Sequence, residues 1–156
     1  MQAEDQLASF VARFTAEIAE RAEAVLDRLR ALMPGAIQLV YDNYNALVIG
    51  FGPNERASDA IFSIAIYPRW INLFFLQAVK QRLADPDRML RGEGTTVRHI
   101  RIDDATALDD RAVLALIEQS LARARVPLGQ DAQACVVIRS SSAKQRSRRP
   151  LPAIKR

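Results

Sequence analysis

Cysteine is almost missing from the 156 residues, Cys135 standing alone. That excludes an intramolecular disulfide and any site built from several thiolates, and a lone thiol of this kind is expected to be a small buried apolar residue. Long hydrophobic runs are missing too, none approaching the roughly 20 residues that span a bilayer. Six glycines and seven prolines are too few for a collagenous or low-complexity chain, while 49% hydrophobic and 26% charged residues exclude a disordered one. The opening Met1-Gln2-Ala3-Glu4-Asp5 is acidic and leads straight into an amphipathic pattern, unlike a secretory signal or an Arg-rich transit peptide. A cytoplasmic address is therefore expected. The length suits one domain with a real core and is short for two.

Acidic residues are absent from one segment in particular. Between Arg139 and Arg156 stand seven bases and no Asp or Glu. Of the 22 bases in the chain, 22 − 7 = 15 remain to face all 18 acids, so residues 1–138 carry −3 and the last eighteen residues +7. The net +4 is thus a property of the tail. Its Ser140-Ser141-Ser142-Ala143-Lys144-Gln145-Arg146-Ser147-Arg148-Arg149 is too polar to order itself by burial. We expect one domain over residues 1–138 and a basic tail over 139–156 that is mobile unless it docks, the acidic body being one surface on which it can do so.

What is present reads as helices and strands in separate blocks. Leu7, Phe10, Val11 and Phe14 recur at i, i+3, i+4, i+7 and predict a short helix. Thr15 can cap a second, with Ile18, Ala22, Val25, Leu29 and Leu32 on one face, Glu17 and Arg21 paired outside, and Pro34-Gly35 as the stop. The period then changes to two. Ile37, Leu39 and Tyr41 alternate with Gln38, Val40 and Asp42, and the run Ala46 to Phe51 follows, which together read as a hairpin. Ala60 to Tyr67 and Trp70 to Phe75 read as two more strands around Pro68-Arg69. Leu76 to Leu83 allows about two helical turns before Asp85-Pro86. Val97 to Ile102 predicts a fifth strand, Asp109 caps a closing helix whose stripe is Val113, Leu116, Ile117 and Leu121, and Ala134 to Ile138 offers an optional sixth strand. The expected fold is α+β: a two-layer sandwich of N-terminal helices packed with a mainly antiparallel five- to six-stranded sheet, and a C-terminal helix.

Several segments resemble the YdhG-like proteins, a bacterial family catalogued as a domain of unknown function. They are Leu26-Asp27-Arg28-Leu29-Arg30-Ala31-Leu32 before the Pro-Gly stop, Trp70-Ile71-Asn72-Leu73-Phe74-Phe75, and Asp85-Pro86 leading to Leu90-Arg91-Gly92-Glu93-Gly94. Val97-Arg98-His99-Ile100-Arg101-Ile102 and Ser142-Ala143-Lys144-Gln145-Arg146 complete the set. The resemblance implies a compact sandwich comparable with the frataxin-like layout, brings no catalytic residues with it, and suggests iron binding or delivery only through that comparison of folds.

Four groups of residues invite a chemical reading. Arg91, Gly92 and Gly94, with Arg98 and His99 beyond them, form a glycine loop whose amides and cations suit an anion, against the plainer reading of a turn feeding a strand. His99 has no nucleophile or orienting acid at a recognisable spacing, so nothing marks it as a general base, and no catalytic residue or cofactor is assigned. Asp103, Asp104, Asp109 and Asp110 offer oxygen ligands to a hard cation, yet lack EF-hand spacing, and Asp109 and Asp110 suit the first turn of a helix better. Alternation puts Trp70, Asn72 and Phe74 on one sheet face and Ile71, Leu73 and Phe75 on the other, so both faces need cover. Trp70 then marks a surface for a ligand or protein partner. Lys144, Arg146, Arg148 and Arg149 would attract an acidic partner or nucleic acid weakly and without sequence preference, no aromatic residue lying in the tail itself. The reading that joins these is a binding or accessory module, with iron handling and tail-mediated nucleic-acid contact as the alternatives.

Overall fold

A computed structural model of the chain describes residues 2–151. Helix α1 (Ala3–Val11) and helix α2 (Ala16–Leu32) come first, the second capped by the Thr15 hydroxyl, which accepts from the Ile18 amide at 3.3 Å. Gly35, at φ +86°, takes a left-handed conformation that a side chain would strain and turns the chain out of α2. Four strands follow, β1 (Ile37–Asp42), β2 (Leu47–Gly52), β3 (Phe62–Ile66) and β4 (Ile71–Phe75), each antiparallel to the last. A 3-10 turn, Ala57–Asp59, links β2 to β3. After α3 (Ala78–Gln81), β5 (Arg98–Ile102) pairs antiparallel with β4. A second 3-10 turn (Ala105–Asp109) precedes α4 (Arg111–Ala122), and β6 (Cys135–Ser141) returns to run parallel to β1. The fold is α+β, with an open six-stranded mixed sheet ordered β5-β4-β3-β2-β1-β6. No helix among the described residues is long and apolar enough to cross a membrane.

The pairing registers decide which residues share a face. Ile49, Ile64, Leu73 and Ile100 stand in one cross-strand row, and Phe51, Phe62 and Phe75 in the next. These residues join Val25 and Leu29 of α2 and Val113, Leu116 and Ile117 of α4 in one buried cluster. Burial of so many apolar side chains, at roughly 25 cal/mol per Å² of area removed from water, is the main force holding the helices to this face. On the other face Leu39 and Ala65 are buried outside that cluster, and Tyr41, Val48, Asn72, Phe74 and Val137 are only half-buried.

The structure assigns the inward face of β1 and corrects three local expectations. On β1 it is Gln38, Val40 and Asp42 that lie on the helix-covered side, because Gln38 and Phe51, Val40 and Ile49, and Asp42 and Leu47 are paired neighbours. Polar partners make this tolerable: Arg30 donates to the Gln38 side-chain oxygen at 2.8 Å, and Asp42 is met by arginines. The residue capping α4 is Asp110, accepting from the Ala112 and Val113 amides, whereas Asp109 pairs with Arg28 of α2. The helix after β4 is one turn rather than two, since Arg82 at φ 51° leaves the right-handed region. Finally, Cys135 is exposed, because it opens an edge strand and faces the side opposite the core.

Candidate binding groove

Asp42 ends β1 on the covered side with 1% of its side chain exposed, and a carboxylate placed there requires a cation. Arg148 supplies it, donating to Asp42 Oδ1 at 2.8 Å from a side chain 2% exposed, and also to the Asn43 carbonyl. Arg13, following α1, reaches the other carboxylate oxygen at 3.3 Å, and the Phe14 ring lies 5.7 Å from the Arg148 guanidinium. Backbone bonds lead the chain to this anchor. The Ser142 amide donates to the Asp42 carbonyl and the Arg146 amide to the Tyr44 carbonyl, both at 2.9 Å, continuing the line of β6 past its last residue. Residues 142–151 therefore lie along the β1–β2 end of the sheet, and the strand expected to stop at Ile138 extends to Ser141. Lys155 and Arg156 fall outside the described residues.

Anchoring Arg148 brings its neighbours to the tight turn between β3 and β4. There the Tyr67 and Trp70 rings stack at 5.0 Å between centroids with 24° between planes. Asn45, Tyr67, Arg69 and Trp70 on one side and Arg146 and Arg149 on the other enclose an open groove of about 910 Å³. Arg101 of β5 lies over Trp70 at 5.8 Å and Arg146 over Tyr44 at 5.6 Å, both inside the range of a cation–π contact. Arg146 and Arg149 are exposed, and neither forms an ion pair among the described residues. The groove thus presents flat aromatic faces beside cations that still face water. Lys144 is exposed on the same segment and does not line the groove.

The glycine loop is elsewhere. Trp70 precedes Ile71, which pairs with Ile102, whereas Phe75 at the other end of β4 pairs with Arg98. Trp70 and the Arg91–Gly94 loop thus sit at opposite ends of the β4–β5 ladder. Arg91 and His99 exchange two backbone bonds at 2.8 and 2.9 Å, and Gly92 at φ +117° makes the turn between them. Arg98 donates to the Gly94 and Val97 carbonyls at 2.6 and 2.8 Å, so its guanidinium braces the loop from within. The His99 ring lies 5.3 Å from the Phe74 ring on the open face.

The four aspartates are dispersed among separate tasks. Asp103 pairs with Arg101 at 3.1 Å, Asp109 with Arg28, and Asp110 caps α4. Asp104 accepts from the Thr106 amide at 2.8 Å, and bonds to that amide and to the Thr106 side chain hold its carboxyl below the usual value. Among the described residues no three His, Cys, Asp or Glu side chains gather as a metal-binding group.

Sequence reasoning named Trp70, Arg146 and Arg149 but assigned them to separate sites. It passed over Asp42, Tyr44 and Arg101. Arg101 had a legible signal, since it alternates with Ile100 and Ile102 and must face away from the core. Asp42 had one only in its inward position on β1, and its partner lies 106 residues further along. Comparison with known proteins finds no matching family model, no matching curated protein and no matching solved structure.

Proposed function

We propose that this chain is a cytoplasmic, non-catalytic binding module, a two-layer sandwich of the YdhG-like kind whose groove takes a segment of single-stranded nucleic acid. The observation that carries this reading is the meeting of the Tyr67–Trp70 stack with Arg146 and Arg149. Single-strand binders combine a basic path for the phosphates with aromatic faces on which bases stack, and each stacked base contributes about 1–3 kcal/mol without regard to sequence. The groove has both elements, with Arg101 holding the Trp70 ring from the sheet side. Arg148, buried on Asp42, positions the segment and makes no contact with the ligand. A duplex keeps its bases stacked on one another and offers nothing to Trp70.

Trp70 is the only tryptophan of the protein, so its fluorescence reports the groove directly. The full chain is titrated with a thymidine oligonucleotide, a duplex with the same number of phosphates, and heparin as a polyanion without bases. The oligonucleotide is expected to quench Trp70 and to bind more weakly as salt rises. Replacing Arg146 and Arg149 by Ala should lower the slope of log K against log salt by about 1.4, at roughly 0.7 per single-strand phosphate contact. Heparin matching the oligonucleotide, or an emission that no single strand alters at low salt, overturns the reading.

A further inference from the structure

A second cavity, of about 530 Å³, lies on the far side of the molecule, walled by the end of β4, by α3 and by the segment after α4. Its lining includes Lys80, Arg123 and Arg125 and contains no carboxylate. One of these cations, Arg123, is held in place by main-chain oxygens alone, and Arg125 is paired with the Asp59 carboxylate as well. Arg123 donates to the Gln81 and Arg82 carbonyls, both at 3.0 Å, and Arg125 to the Ser58 carbonyl at 3.4 Å and to Asp59. A carbonyl fixes the Arg123 guanidinium without cancelling its charge, whereas Asp59 offsets that of Arg125, and the five N–H donors of each leave others free for a ligand. The Gln77 side chain is held on both sides, donating to the Ala60 carbonyl at 3.1 Å and accepting from the Arg125 amide at 3.0 Å.

Gln81 is different. It is 8% exposed, its side-chain nitrogen donates to the Ser120 carbonyl at 2.9 Å, and its Oε1 is buried with no partner. Turning the amide over would set Oε1 against the Ser120 carbonyl and the Gln77 Oε1, two acceptors, so the network fixes the orientation. A buried acceptor left without a donor is a cost that a ligand hydroxyl removes.

We infer that this cavity binds a small hydroxylated organic anion, its phosphate or carboxylate among Lys80, Arg123 and Arg125 and a hydroxyl donating to Gln81 Oε1. The volume lies inside the range of small-molecule pockets, roughly 300–1,000 Å³. The proposal is independent of the groove beside Trp70.

The test is an amide-resolved NMR titration of the full chain near neutral pH with glycerol 3-phosphate, n-propyl phosphate, inorganic phosphate and citrate. Glycerol 3-phosphate is expected to move the Gln81 side-chain amide and to bind about fivefold tighter than n-propyl phosphate, the difference of one hydrogen bond. Citrate binding tighter than glycerol 3-phosphate with the same Gln81 shift supports the site and assigns carboxylate as the anionic group; the reverse order assigns phosphate. Lys80 is exposed and makes no hydrogen bond here, so Lys80→Ala keeps the fold and is expected to weaken every anion about fivefold. Equal affinity of the two phosphates, shifts unchanged by Lys80→Ala, or no shift at millimolar concentration overturns the inference.

Discussion

Two pairs join an arginine of the C-terminal third of the chain to an aspartate of its first half, and they differ almost only in burial. In Asp42–Arg148 both side chains are shut away, at 1% and 2% exposure, with Arg13 as an additional partner. In Asp59–Arg125 the acid is 5% exposed and the arginine 67%. Water can replace Arg125 at little cost, but nothing can replace Arg148. The difference teaches what each pair is for. The buried pair fixes where residues 142–151 run and so creates the groove, while the open pair leaves a guanidinium at the rim of the second cavity with N–H donors still free.

The sharpest way to break this contrast is Arg148→Ala. It strands the Asp42 carboxylate with Arg13 alone, and removing one member of a buried pair typically costs about 3–5 kcal/mol. A urea melt should show that loss, and the Trp70 emission should shift as Arg146 and Arg149 leave the groove. Removing both charges together, as Asp42→Val with Arg148→Met, should recover most of the stability, because apolar replacements of a whole buried pair are close to neutral. If Arg148→Ala melts like the natural protein, the tail is not anchored through this pair. A chain ending at Ile138 gives a second reading of the same contact, since it lacks Arg148 and keeps Asp42.

Much of this architecture was legible in the sequence, and the exceptions share one cause. The α2 cap at Thr15, the four successive strands and the outward Glu17–Arg21 pair, 3.2 Å apart, follow from local periodicity and capping chemistry. Failures occur where a residue's environment is set by a distant partner. Alternation on β1 separated Ile37, Leu39 and Tyr41 from Gln38, Val40 and Asp42 without saying which set turns inward, and Gln38 and Asp42 face the helices because Arg30, Arg13 and Arg148 come to meet them. A polar residue can be inward only if the fold delivers its partner. The groove was half legible for the same reason: Trp70 and the tail arginines are each conspicuous, while their meeting depends on Asp42. The cavity beside Gln81 left no trace, since its cations come from α3 and from the segment after α4, which no periodicity relates.

The open sheet face extends the contrast from charges to surfaces. Phe74 is half-buried beside His99, whereas Leu73, its neighbour on β4, is fully buried beneath the helices. Leu73→Ala should cost about 2–5 kcal/mol, the range for a large aliphatic side chain removed from a packed core. The same urea melts should register a clearly smaller loss for Phe74→Ala. Equal losses would show that the second face is as tightly packed as the first.

The smallest expected effect concerns how the exposed pair responds to acid. The Asp59 carboxyl is held below its ordinary 3.8, first by the hydrogen bond from the Asn54 side chain, then by that from Arg125, with partial burial acting in the opposite direction. A carboxyl depressed in the folded state binds fewer protons there than in the unfolded chain. Its contribution to stability is therefore complete above 3.8 and is lost as pH falls through the folded value. Asn54 acts through one hydrogen bond and Arg125 through a hydrogen bond and its charge, so Asn54→Ala and Arg125→Ala should each raise the Asp59 titration midpoint, as followed by carbon-13 carboxyl shifts. Added salt should weaken the Arg125 contribution, which is screened by solvent, and leave the Asn54 contribution in place, since an amide carries no charge to screen. A midpoint that moves only with Arg125 would make the open pair electrostatic in the way the buried one is, and the distinction between an anchoring arginine and a free-edged one would fail.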